Sequence, residues 1–201
     1  MTKKGVLYLV FFGILLAIFY GVLMYTTDFA KVKLPILNTV QNFYFIKQDG
    51  TNVSQKEVKN RVYVAEFFFT TCKGICPKMN KNMKAIYEKF KTEPNFLVVS
   101  HTVNPGTDSL PILNHYADSL GASSENWWFV TGSKTELYKA ARESYMLDDP
   151  KNNSKNIDEQ FLHTQFFTLV DRQGRVRGVY DGIKKDEVDQ LIRDISELII
   201  E

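Results

Sequence analysis

Cys72 and Cys76 are the only cysteines of this 201-residue chain, and both lie in the segment Thr71-Cys72-Lys73-Gly74-Ile75-Cys76-Pro77. Three chemistries suit two thiols at this spacing: a reversible or catalytic disulfide, a pair of soft ligands for a thiophilic metal, and an inert structural bridge. A bridge closing so short a loop removes little chain entropy and stabilises weakly. A structural zinc site generally takes four ligands. The chain offers two Cys and three His (His101, His115 and His163), with no second Cys pair. Thiol redox chemistry and soft-metal binding therefore stand side by side as the stronger readings.

The pair sits where an apolar, strand-like run over residues 61–69 gives way to a helical pattern from Pro77 onward. Proline suits the first helical position, where its missing N–H costs nothing. Cys76 is then expected at the helix N-cap, where backbone N–H groups and the dipole favour thiolate over thiol. Gly74 is expected to let the intervening loop take backbone angles that other residues resist. Glu66 interrupts the apolar run, and a buried carboxylate needs a partner. A hydrogen bond or a nearby Lys is expected there, with a supporting role toward the thiols. Met79 and Met83 could serve as soft ligands, but with Ile86, Tyr87 and Phe90 they repeat at helical spacing and read as core.

Residues 5–25 are uncharged and rich in Leu, Ile, Val and Phe. About 20 such residues cross a bilayer as one helix. The flanking Met24-Tyr25-Thr26-Thr27-Asp28 makes a poor cleavage sequence, so the stretch reads as an uncleaved anchor. Lys3 and Lys4 hold the N-terminus in the cytoplasm on the positive-inside rule, weakened slightly by Lys31 and Lys33. The expected organisation is a cytoplasmic tail (1–4), a transmembrane anchor (5–25), a tether (26–40) and a folded domain (41–201). That domain then faces an oxidising extracytoplasmic space, the periplasmic side of a bacterial inner membrane, where close thiols can cycle. Lys3 and Lys4 account for the whole net charge of +2. No basic stripe remains to bind nucleic acid.

The rest of the chain alternates strand and helix patterns. Strands are expected at residues 42–46, 95–100 and 127–130, and helices at 109–120 and 135–144. Residues 148–160 are polar, without period, and read as a mobile loop. A hairpin about Arg172-Gln173-Gly174 and an amphipathic helix carrying Val188, Leu191, Ile192, Ile195 and Leu198 close the chain. This order predicts an α/β sandwich with a mixed sheet.

The order of elements, with thiols at the first strand-to-helix turn, resembles a thioredoxin fold. Specific segments resemble the Sco/SenC family of membrane-anchored copper proteins. They are Phe69-Thr70-Thr71-Cys72-Lys73-Gly74-Ile75-Cys76-Pro77, Asn104-Pro105-Gly106-Thr107-Asp108, and Leu162-His163-Thr164 ahead of Phe167-Thr168-Leu169-Val170-Asp171. The resemblance covers about residues 37–200. The chain departs from it at Asn104-Pro105 and Thr107, where the family commonly has Asp-Pro and an Arg, which bears on partner docking by that loop.

The resemblance implies a copper site, for Cu(I) or Cu(II), formed by Cys72, Cys76 and His163. It also implies a role in supplying copper to a respiratory terminal oxidase. The implied partners are the oxidase's copper-site subunit and other copper chaperones or thiol reductants. Thiolates prefer Cu(I), and imidazole suits either oxidation state. His101 is a reserve ligand candidate or a partly buried structural residue, and His115 is expected to face solvent. A thiol–disulfide reductase needing only Cys72 and Cys76 is the alternative, although thioredoxin itself spaces its cysteines by two residues. A peroxide-scavenging relative lacks an assignable activating residue, and a purely structural tethered domain is the remaining reading.

Overall fold

A computed structural model describes residues 2–26, 34–154 and 156–201. It falls into two units, Met1–Leu34 and Pro35–Glu201. The first contains helix α1 (Lys3–Thr26), whose stretch Lys3–Leu23 is long and apolar enough to cross a membrane. At about 1.5 Å per residue the helix spans roughly 36 Å, enough for the hydrocarbon core of a bilayer.

The second unit is built on one sheet of eight strands: β1 (Asn38–Thr39), β2 (Tyr44–Lys47), β3 (Asn52–Ser54), β4 (Val62–Phe68), β5 (Phe96–Thr102), β6 (Trp127–Thr131), β7 (Phe166–Val170) and β8 (Arg175–Asp181). Their order is β1-β8-β7-β4-β5-β6-β2-β3. β4–β5 and β5–β6 are parallel, and the remaining pairs are antiparallel. The sheet is therefore mixed, as the alternation of patterns predicts. β4 and β5 are buried along their whole length, as expected of parallel strands covered on both faces.

The tether expected over residues 26–40 ends sooner. Residues 27–33 lie outside the described residues, but Leu37 N–H donates to the Val176 carbonyl and Asn38–Thr39 pairs with β8. Val40 is buried in the core. A strand of two residues has too little sequence to show a period, so the edge of the sheet was hidden in what reads as linker.

On one face of the sheet, Tyr63, Ala65, Phe67, Leu97, Val99 and Val130 pack with Phe45, Leu137, Tyr138 and Tyr145. Helix α2 (Gln55–Val58) lies between β3 and β4, capped by Ser54 and Glu57 in a reciprocal box. On the other face lie α3 (Cys76–Phe90) and α4 (Leu110–Leu120). Phe90 packs on Phe96, Tyr87 on Trp127, and Tyr116 on Phe68. Met79 and Met83 are buried on α3 and belong to this core. The closing helix α6 (Lys185–Ile200) buries Val188, Leu191, Ile195 and Leu198.

Two segments differ from expectation. The helix expected at 135–144 is α5 (Lys134–Lys139) followed by a π-helical turn, Ala140–Ser144. The polar stretch 148–160 holds two 3-10 turns, Pro150–Ser154 and Ile157–Glu159, and is tied down by a buried arginine. Its polar residues bond to that arginine and to one another, so their lack of hydrophobic period does not mean lack of structure. The β7–β8 hairpin turns at Gly174 with φ +77, and Asp171 accepts the N–H groups of Gln173 and Arg175 there.

Candidate metal centre

The thiol segment begins where β4 ends. Fully buried Asp108 braces it: one carboxylate oxygen accepts the Thr70 hydroxyl at 2.5 Å, and the other accepts the Thr102 hydroxyl at 2.5 Å and Thr70 N–H at 3.3 Å. The Asn104–Asp108 segment is thus a strut beneath the thiol turn. Cys72 N–H then bonds the Phe69 carbonyl at 3.2 Å.

Helix α3 starts one residue earlier than the N-cap expectation requires. Ile75 is the N-cap, and Cys76 is the first helical residue, ahead of Pro77. The consequence for the thiols is an inversion. Desolvation works against the Cys72 thiolate, but hydrogen bonds from the Cys76 thiol and from the N–H groups of Cys76, Gly74 and Ile75 outweigh it and hold Cys72 below the ordinary thiol value. Cys76 is buried, and desolvation first, then its hydrogen bond to Cys72 and the charge there, push its thiol up. The helix terminus therefore favours thiolate at Cys72, not at Cys76. Both cysteines are free thiols. Gly74 does not adopt a positive φ, and a Cβ there would meet open space, so the loop does not need glycine for its backbone angles.

His163 comes from the segment ahead of β7. Its ring lies 4.7 Å from that of Phe161 and 6.0 Å from that of Phe69, with the residue exposed. Cys72, Cys76 and His163 line one recess of about 10 Å³, walled in part by Phe69, Val103 and Leu162. That is roughly the volume of one water-sized sphere. Among the described residues no three His, Cys, Asp or Glu side chains stand ready to hold an ion, so the three line the recess without converging. A larger hollow of about 570 Å³ beside Phe43, Lys56 and Arg172 lies away from the thiols, whereas one of about 340 Å³ shares Leu162 and His163 with the recess.

The other histidines stay apart. His101 is fully buried, stacked on Phe67 at 4.6 Å, with Nδ1 3.2 Å from the Glu66 carbonyl oxygen. Burial pushes it down to about 4, which keeps the imidazole neutral. It does not line the recess and is no reserve ligand. His115 is exposed on α4, as expected. Glu66 is fully buried; it accepts a hydrogen bond from the Ser100 hydroxyl at 2.6 Å, and its second oxygen is unpartnered. Burial lifts its carboxyl to about 7, and its charge in turn raises Cys76.

The SCO1/SenC family model matches residues 34–200. The chain belongs to the SCO1/SenC family. A SCO1 protein homolog of Bacillus subtilis (strain 168) is 33% identical over 168 residues, 83% of this chain and 86% of the relative. The solved structure of BsSco superposes with a TM-score of 0.68 at 32% identity, over 83% of this chain and 96% of that one. BsSco is described as a member of the Sco family of cytochrome c oxidase assembly proteins in which a disulfide switch is identified. Bradyrhizobium japonicum ScoI with copper bound shares the fold at a TM-score of 0.62 and 19% identity, over 80% of this chain and 99% of that one. The SCO1/SenC unit of this chain is accordingly a thioredoxin-like sandwich.

Proposed function

We propose that this SCO1/SenC protein takes up one copper ion as cargo on Cys72, Cys76 and His163 and delivers it to a respiratory terminal oxidase. The observation that supports the reading is the shared recess of about 10 Å³, which Cys72, Cys76 and His163 all line. The donor set fits the metal: thiolates are soft and select Cu(I), while imidazole accommodates either oxidation state. Cys76 holds its proton more tightly than an ordinary thiol, whereas Cys72 gives its proton up more readily than one. Oxidation of the pair to a disulfide would remove both sulfur donors, so thiol redox state would decide whether the site can load. With α1 as anchor in a bacterial cytoplasmic membrane, the domain would work on the extracytoplasmic side, where the oxidase's copper-site subunit is its partner.

The test is a Cu(I) titration of the detergent-solubilised full chain against a competing chelator with the thiols reduced. One ion per chain is expected, with large losses of affinity in Cys72→Ser, Cys76→Ser and His163→Ala. Parent-like affinity in His163→Ala would overturn the three-donor set. The second reading, a thiol–disulfide reductase, is favoured by the partly exposed Cys72, held below the ordinary thiol value, beside Cys76, whose thiol is pushed up. Disulfide exchange should survive His163→Ala under that reading, whereas copper uptake should not.

A further inference from the structure

We infer that the Tyr138 hydroxyl is a positioning group for His163, pinning the histidine-bearing segment to the wall that carries the thiols. The inference rests on the reading of His163 as a ligand. Tyr138 lies in α5 with its ring buried. Its hydroxyl accepts Leu162 N–H at 3.1 Å and donates to the Val103 carbonyl at 3.2 Å, with the Gln160 carbonyl at 3.4 Å as the other acceptor in reach. Leu162 immediately precedes His163. Val103 follows β5, and its N–H bonds the Phe68 carbonyl at 2.8 Å, at the end of the strand that leads to Cys72. One oxygen thus joins the backbone beside the imidazole to the backbone beside the thiols, and both joined residues line the recess.

The rest of the segment is built onto the same helix. Arg142 sits over the Tyr138 ring at 5.5 Å. Its Nε donates to Asp148 at 2.6 Å, and its guanidinium also bonds Gln160 Oε1. Asn152 Nδ2 donates to Asp148 at 2.9 Å, and Gln160 Nε2 donates to the Asn152 backbone carbonyl at 3.2 Å, which closes a ring of four residues. Arg142 belongs to the π-helical turn directly after α5, the kind of wide turn that recurs at functional sites. The ring of four gives the segment its shape, and the Tyr138 hydroxyl registers its last residues against the thiol wall.

Tyr138→Phe keeps the ring and the arginine above it but removes the pin, leaving Leu162 N–H buried without a partner. The fraction of chains with the imidazole in register falls, and apparent affinity falls with that fraction. For one hydrogen bond of this kind the loss is about five- to ten-fold. The experiment is the Cu(I) competition titration on the full chain in detergent for the parent, Tyr138→Phe, His163→Ala and the double variant. It is accompanied by amide exchange at residues 161–164 and the alkylation rate of Cys72.

Tyr138→Phe should weaken binding about five- to ten-fold and speed exchange at residues 161–164, while leaving Cys72 alkylation unchanged. In the His163→Ala background it should cost nothing further. Parent-like binding by Tyr138→Phe alongside a weakened His163→Ala overturns the pin alone. Equal weakening in both backgrounds also overturns it, because the hydroxyl would then act without the imidazole. Unchanged binding by His163→Ala overturns the ligand reading and the pin with it.

Discussion

Replacing Glu66 by Gln isolates the cost of keeping an acid in a dry interior. Glu66 is fully buried, accepts one hydrogen bond and leaves its second oxygen unpartnered. Burial raises its carboxyl from 4.5 to about 7 against the lowering effect of the Ser100 bond. The folded protein therefore keeps this proton up to about pH 7, whereas the unfolded chain releases it near 4.5. Across that interval the folded state binds more protons, so stability falls as pH rises, and the loss is complete above the folded value. At about 1.36 kcal/mol per pH unit the loss amounts to roughly 3 kcal/mol. Glutamine keeps the shape and an acceptor for Ser100 but cannot ionise. Its buried amide N–H groups add a cost that does not vary with pH, so the diagnostic is the slope. Urea unfolding of the full chain in detergent with reduced thiols, followed by Trp fluorescence from pH 4 to pH 8, should show the parent losing about 3 kcal/mol more than Glu66→Gln. Parallel pH profiles for the two proteins would refute the account of Glu66 as a neutral buried acid.

Limiting iodoacetamide near neutral pH should modify Cys72 before Cys76, with a rate that levels off below the ordinary thiol value of 9.0. Peptide mapping that finds Cys76 modified first would reverse the assignment of the thiolate. Asp108→Ala removes the acceptor of three hydrogen bonds that fix Thr70 and Thr102. It should cost about 2–4 kcal/mol in urea unfolding and broaden the reactivity of Cys72, because such buried charged acceptors contribute more than neutral ones.

The chain made some of this legible and concealed the rest for physical reasons. The run into Phe68 and the stripe of Met79, Met83, Ile86, Tyr87 and Phe90 announced β4 and α3, because burial on two faces and on one stripe leaves different periods. The thiol pair was visible because Cys72 and Cys76 share one turn. The inversion of their roles was not, because it depends on which sulfur the N–H groups of Gly74, Ile75 and Cys76 face, and Pro77 marks the helix start only to within a residue. Asp108 gave no sign of its task, since its partners are Thr102 at the end of β5 and Thr70 just past the end of β4. His163 could be joined to the thiols only through family resemblance, because it is the sheet order that sets β7, and the segment ahead of it, beside β4. The segment 148–160 looked mobile because a polar network around one buried guanidinium has the same composition as a solvated loop.

The two sides of the recess are built differently, and that difference has a mechanical consequence for the proposed reading. The thiols stand on a fully buried strand, a helix start and a carboxylate strut, all bonded into the sheet. The imidazole stands on an exposed residue whose segment is held by one tyrosine hydroxyl, a hydrogen-bonded ring of four residues, the buried Leu162 side chain and ring contacts to Phe69. Local opening is cheapest where few apolar contacts must break. The histidine side would therefore open first, leaving an ion on two sulfurs with a free face toward an incoming ligand. A site assembled from a rigid dithiol and a hinged third donor is suited to release by stepwise ligand exchange, whereas a rigid three-donor cage would have to lose all its bonds together.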